Sequence, residues 1–185
     1  MQPVLETERL LLRPYLPADA AAVQRLAGDA RVADTTANIP HPYPDGAAQA
    51  WIAGLAPAFA AGTRIAYAVT RREDGALIGT VDLHDISAAH ARAMLGYWIG
   101  VPYWRQGYAT EAVQRLIAYG RDAHGLSRIG ATCLARNPAS ARVMEKAGLR
   151  LEGRLVAHEC KRGVFEDLLL YGLILPGPIP SPLPV

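Results

Sequence analysis

The chain is poor in most features that would mark a disulfide-built, membrane-bound or nucleic-acid-binding protein. It has only two cysteines, Cys133 and Cys160, without CxxC spacing. That excludes a disulfide framework or cysteine-rich metal centre and fits two reduced thiols, so no metal is expected. No run of lysine or arginine occurs, and the formal net charge is only +2. Phosphate backbones require a concentrated basic face, so no nucleic-acid partner is expected. No window approaches the roughly 18 apolar residues that span a bilayer. The opening MQPVLETERLLLRP has no apolar stretch behind a basic end. These two absences predict no membrane partner and a cytoplasmic location. Neither GxxxxGK[ST] nor GxGxxG is present, which removes the two standard nucleotide-phosphate loops. No internal repeat is visible.

What is present is a globular composition, 51% hydrophobic over 185 residues, which suits one domain with a single core. The reading is one domain over 1–175 followed by a proline-rich tail over 176–185, where proline denies both helix and central strand.

The pattern along the chain predicts a strand at 8–13 and a helix at 16–28. A proline-rich loop follows at 31–45, whose His41 and Tyr43 suit a substrate loop or lid, and then a helix at 46–61. Strands follow at 64–70 and 76–83, then a polar loop at 84–91 and a strand at 92–100. A long helix at 108–123 precedes a strand at 128–134, a short helix at 138–147, and two strands near 150–160 and 164–174. Strands in a run, then alternating with helices, then in a run again predict an α/β protein with a mixed, mostly antiparallel sheet. Helices cover both faces, with one crossover through the long helix.

The informative segment is GYWIGVPYWRQGYATEAVQRLIA, 96–118. A strand ends near Gly100, a short loop follows, and a helix opens at Gly107–Tyr108. Ala109, Ala112, Val113, Leu116, Ile117 and Gly120 recur at helical spacing. The first turn of a helix leaves backbone N–H groups without partners and carries partial positive charge. Gly107 and Ala109 let a ligand approach, Thr110 offers a hydroxyl, and Arg105 and Gln106 add donors. The object this describes is a pyrophosphate cradle, although spacing alone serves equally for a plain strand–loop–helix connection. A second segment, NPASARVMEKAGL at 137–149, is helix punctuation in part. Asn137 suits the N-cap, Pro138 the first turn and Gly148 the left-handed position past the end. Punctuation does not explain Ser140, whose hydroxyl lies in the first turn.

Five pieces in order, TERLLLRP at 7–14, LIGTVDLHDI at 77–86, LGYWIGVPYWRQGYATEAV at 95–113, NPASARVMEKAGL at 137–149 and GVFEDLLLY at 163–171, resemble the GNAT acetyltransferase superfamily. The nearest branch is the ribosomal-protein (Rim-type) group. The resemblance implies a sheet that splays open between the strands at 92–100 and 128–134. It implies acetyl-CoA as co-substrate, its pantetheine arm in that split against the backbone of Trp98, Ile99 and Val101. The segment Arg105, Gln106, Gly107, Tyr108, Ala109, Thr110 would hold the pyrophosphate, with Asn137 on the other wall. Where many relatives carry a tyrosine acid on the short helix, this chain has Met144.

Acetyl transfer to an amine needs the amine deprotonated, the thioester carbonyl polarised and the leaving thiolate protonated. Ser140, beside the cofactor arm, is the candidate acid. For the base, Asp82 and His84 alternate on one strand and so point to one face, and imidazole is the side chain that titrates near neutrality; Glu159 and Asp167 are rivals. Asp167 either binds an amine or supports the final hairpin, and Glu159 and Tyr43 complete the substrate candidates. Tyr97, Trp98, Tyr103 and Trp104 read as packing residues. The acceptor is a protein N-terminus or a small amine, attacked directly in a ternary complex, and a non-catalytic acyl-CoA-binding module is the alternative. A homodimer is compatible with all of these.

Overall fold

A computed structural model describes residues 1–176. The expected tail therefore lies, past Pro176, outside the described residues. Strands β1 (Leu5–Glu6) and β2 (Leu10–Arg13) open the chain, and a single 3-10 turn at Pro17–Asp19 leads into α1 (Ala20–Ala27). Helices α2 (Ala30–Thr35) and α3 (Ala47–Ala60) follow, then β3 (Ile65–Arg71), β4 (Leu77–Ser87) and β5 (Arg92–Ile99). Helix α4 (Tyr108–His124), β6 (Arg128–Leu134), α5 (Pro138–Lys146), β7 (Arg150–Lys161) and β8 (Val164–Ile174) complete it.

The strands form one sheet in the order β1-β2-β3-β4-β5-β6-β8-β7. Every described pairing is antiparallel except β5 with β6, the pair joined through α4. Helices α4 and α5 cover one face, where Val113, Leu116 and Met144 pack with Tyr67, Val81, Leu83, Leu95 and Ile129. Helices α1 and α3 cover the other, where Val23, Leu26 and Ile52 pack on Ala68 and Leu77. Burying apolar stripes on both faces makes β3 almost continuously buried, the pattern of a central strand. No described helix is long and apolar enough to cross a membrane.

The feature that organises the molecule is where β5 and β6 stop pairing. Their parallel ladder runs from Arg92↔Arg128 to Leu95↔Ala131 and ends there. Both strands continue, β5 beside β4 as far as Gly79↔Ile99 and β6 beside β8 as far as Leu134↔Leu168. Each follows its own outer neighbour, and strand twist carries the two apart. The expected splay is present, and it opens toward the loop that precedes α4.

The structure corrects several expected elements. The segment read as loop at 31–45 contains α2, because Asp29 accepts from the Arg31 N–H at 2.9 Å and starts a helix before the prolines. The strand expected at 8–13 begins only at Leu10: Thr7 and Leu10 close a tight corner through a 3.0 Å backbone bond, and the preceding Leu5–Glu6 forms an unexpected β1 that pairs with β2 as a hairpin. The loop expected at 84–91 is strand in its first half. Strand β4 continues to Ser87 through an irregularity between His84 and Ser87, with Asp85 at φ 48.

Candidate functional site

The loop before α4 has a backbone shaped for an anion. Arg105 and Gly107 both take left-handed conformations, at φ 61 and 85, and Gly107 is the N-cap of α4. None of the backbone N–H groups from Arg105 through Thr110 donates to a protein acceptor among the described residues, whereas the next one, Glu111 N–H, donates to Gly107 O at 3.1 Å. A row of unsatisfied amides at the positive end of a 17-residue helix is the arrangement that binds phosphate oxygens. The Gln106 side chain folds back to donate to Pro102 O at 3.1 Å. The Arg105 side chain is exposed.

A clamp that local sequence patterns do not reveal fixes this loop. Arg9 donates through Nη1 to Gln106 O at 2.9 Å and through Nε to Glu111 Oε2 at 2.7 Å. Its guanidinium carbon stands 4.7 Å from the Tyr108 ring centroid. Glu111 Oε1 accepts from Thr7 Oγ1 at 2.6 Å and from the Arg9 N–H at 2.9 Å. Burial alone would raise the Glu111 carboxyl, but these donors outweigh it and hold it below its ordinary value. At the other end of the same motif Arg13 pairs with Asp19 through two 2.7 Å bonds. The opening TERLLLRP thus anchors the start of α4 and the entry to α1.

On the α4/α5 side of the split, the Tyr97 hydroxyl stands 2.7 Å from Ser140 Oγ and donates to Ser140 O at 3.0 Å. Tyr97 lies on β5 past the last paired residue, Leu95, and Cys133 lies on β6 past the last paired residue, Ala131. Burial pushes the Cys133 thiol up to about 11 and raises the Tyr97 phenol as well. Both therefore stay protonated near neutral pH. Asn137 caps α5 as expected, accepting from the Ser140 N–H at 3.1 Å, and its amide donates to Thr35 O at 3.2 Å. That second bond ties α2 to the wall of the split. Met144 is fully buried in the core and carries no polar group to the site. Reading Tyr97 as a packing residue missed its hydroxyl, because the partner lies 43 positions away.

Asp82 and His84 share the opposite face. Asp82 Oδ2 is 3.0 Å from Arg64 Nε and 3.4 Å from His84 Nδ1. The residue across from Asp82 is Gly96, where a Cβ would sit 2.3 Å from Asp82 Oδ1. The absent side chain is what lets a carboxylate occupy this place in the sheet. Trp98, two residues on, is half-buried against the α1/α3 core. Ile99 is buried and its carbonyl accepts from the Trp104 indole N–H, so that carbonyl is already engaged. Val101 begins a short 3-10 turn before the anion loop.

The final hairpin separates the acidic candidates. Asp167 is turned into the hairpin: it accepts from the Ala157 N–H at 2.7 Å and from Arg154 Nε at 2.6 Å, which lowers its carboxyl. Arg136 bridges Asp34 and Glu166 at 2.7 and 2.8 Å. Glu159, across from Glu166, is half-buried, and among the described residues it has no ion pair or side-chain hydrogen bond. Lys161 reaches the carbonyl of Thr36, so the hairpin, the end of α2 and the loop after β6 meet at one mouth. The Tyr43 ring packs near the end of α1, its Cβ 3.1 Å from the position a Cβ on Gly28 would take.

Comparison with known proteins accords with this geometry. The family model described as "Acetyltransferase (GNAT) domain" matches residues 9–150. The chain is 33% identical over 181 residues to the uncharacterized N-acetyltransferase YoaA of Bacillus subtilis (strain 168), covering 95% of this chain and 99% of that one. It is 31% identical over 99 residues to the ribosomal-protein-serine acetyltransferase of Escherichia coli (strain K12), covering 54% of this chain and 55% of that one. Among solved structures, a GNAT-family acetyltransferase from Bacillus anthracis superposes with a TM-score of 0.82 at 26% identity, covering 93% of this chain and 98% of that one.

Proposed function

Since the chain belongs to the acetyltransferase (GNAT) family and is an acyltransferase, we propose that it transfers the acetyl group of acetyl-CoA to a primary amine by direct attack in a ternary complex. One observation carries the reading. The β5–β6 ladder stops at Leu95↔Ala131, and the open ends lead to the unpartnered amides of Arg105 to Thr110. A diphosphate linked to a long, narrow, amide-bearing arm fits both features at once. When bound, acetyl-CoA supplies the activated acetyl group. The amides of Arg105 through Thr110 hold its diphosphate, and the free edge of β5 from Gly96 to Ile99, with Val101 just beyond it, lines the arm together with the Asn137 wall.

Ser140 gives a proton to the departing sulfur. His84, oriented by Asp82, takes one from the amine, directly or through water. One reading is dropped from the site, since Asp167 serves the hairpin; direct attack needs no nucleophilic thiol, and Cys133 is buried. Glu159 takes the substrate role, because a half-buried carboxylate without an ion pair of its own among the described residues suits a protonated amine. The acceptor classes to be tried are a protein N-terminus and small amines; the Escherichia coli relative is named for a ribosomal-protein serine.

Acetyl-CoA should raise the melting temperature in proportion to RT ln(1 + [L]/Kd), about 2.7 kcal/mol of stabilisation at 100 Kd. Free thiol should appear only when an amine acceptor is added. Stabilisation without thiol release across peptides and small amines would favour the non-catalytic binding module, and absence of both would end the proposal.

A further inference from the structure

We infer that Tyr97 is a positioning residue for the acid step: its hydroxyl switches between two acceptors on Ser140 and thereby frees the Ser140 proton for the leaving sulfur. The inference rests on the reading of Ser140 as the acid. Tyr97 has one proton and two neighbours on the same residue, the Ser140 carbonyl at 3.0 Å and the Ser140 Oγ at 2.7 Å. With the phenol proton on the carbonyl, the 2.7 Å contact needs the Ser140 hydroxyl as donor, so the serine proton points at Tyr97 and away from the split. With the phenol proton on Oγ, the serine proton is released to point elsewhere. Ser140 cannot donate to a sulfur in the split and to Tyr97 at once, so the acid is competent only in the second arrangement.

The energetics favour that arrangement when charge develops. As the Ser140 proton moves to sulfur, Oγ becomes negative, and a hydrogen bond to a charged acceptor is worth more than one to a neutral carbonyl. Tyr97 keeps its own proton throughout, because burial raises the phenol far above working pH. The thiolate gains one proton and Ser140 loses one; water returns it to Ser140, and the hydroxide so formed is neutralised by the proton that His84 took from the amine, so the protons balance. The backbone suits this role. Tyr97 sits on β5 just past the end of the β6 ladder, and Asn137 holds the Ser140 N–H at 3.1 Å, fixing the first turn of α5 against it.

The test is Tyr97→Phe in the full chain, which keeps the ring, read beside Ser140→Ala and the double variant. Expected for Tyr97→Phe is a kcat lower by about 10- to 100-fold, the worth of a hydrogen bond to a charged group. KM for acetyl-CoA and the melting temperature should barely change. The double variant should be no slower than Ser140→Ala alone, since the phenol acts only through the serine. Additive losses, a wild-type kcat for Tyr97→Phe, or an effect confined to KM would overturn the inference while leaving Ser140 as the acid. Full activity in Ser140→Ala would remove the acid reading itself. Should Tyr97→Phe fail to fold, Tyr97→3-fluorotyrosine keeps ring and hydroxyl but strengthens the donor. An unchanged kcat there would also count against the switch.

Discussion

The sheet carries two polar clusters on opposite faces of consecutive residues, and they are built by opposite means. Toward α5, Tyr97 meets Ser140 and Cys133, all neutral, all buried or half-buried, with burial raising the phenol and the thiol. Toward α1, Gly96 contributes nothing but space, and the Asp82 carboxylate, with Arg64 and His84 beside it, fills that space. A transfer reaction needs one group that gives a proton and another that takes one. Placing a hydroxyl cluster and a charged cluster on opposite faces of one strand lets one site hold both kinds of group. The pairing of a hydroxyl face with a charged face, separated by one strand, is the physical content of the proposed mechanism.

The largest break in that comparison comes from the neutral face. Ser140→Ala should lower kcat by about 10²–10⁴-fold, the range for a lost general acid, with acetyl-CoA affinity kept. Steady-state kinetics beside calorimetric CoA binding would measure it. On the charged face, His84→Ala should lower kcat/KM by about 10²-fold, read from initial rates. A retained kcat/KM would move the base to Glu159, on the hairpin at the same mouth. Gly96→Ala probes the space between the faces. The new Cβ would lie 2.3 Å from Asp82 Oδ1. The carboxylate stands 3.0 Å from Arg64 Nε and would have to shift, so overpacking of about 1–3 kcal/mol is expected, visible as a lower melting temperature and a weakened Asp82–His84 contact.

Much of this was legible before the structure, and the part that was not shares one cause. The anion loop and the caps of α4 and α5 are local, whereas the split was implied by the family resemblance alone. Gly107 and Asn137 announce themselves because helix ends demand particular residues, and the change from a run of strands to alternation implies a crossover. The clamp and the Tyr97–Ser140 bond join residues 102 and 43 positions apart, and no periodicity encodes such pairs. Helix α2 was hidden by prolines after it, although Asp29 is an ordinary N-cap. Asp167 was ambiguous in sequence because a carboxylate near a turn serves an amine or a backbone N–H equally. The Ala157 N–H and Arg154 settle its bonding.

The phosphate corner supplies a smaller effect with a definite sign. Thr7, the Arg9 N–H and the Arg9 guanidinium, against the pull of burial, hold the Glu111 carboxyl below its unfolded value near ~4.3. A depressed folded value means the stabilisation is fully present above the unfolded value and is lost as pH falls through the folded one. CoA affinity should therefore be level above about pH 5 and weaken as Glu111 protonates at lower pH. Glu111→Gln should show weaker but pH-independent binding over the same range. Parallel curves for the two proteins would detach the clamp from the cradle.

The smallest expected effect sharpens the contrast most directly. Cys133 stands on the neutral face with its thiol raised to about 11, so near pH 7 only about one molecule in 10⁴ carries the thiolate that alone is nucleophilic. If burial keeps this face neutral, the thiol is inert, no acetyl-cysteine forms, and Cys133→Ala should retain kcat while losing some stability to the small cavity left at a site only 6% exposed. Initial-rate patterns for the wild type should intersect, as sequential addition requires, and mass spectrometry after acetyl-CoA alone should find the chain unmodified. An acetyl adduct at Cys133 would mean that the α5 face carries charge after all, and that a hydroxyl beside a thiolate, rather than beside a phenol, is the arrangement that needs explaining.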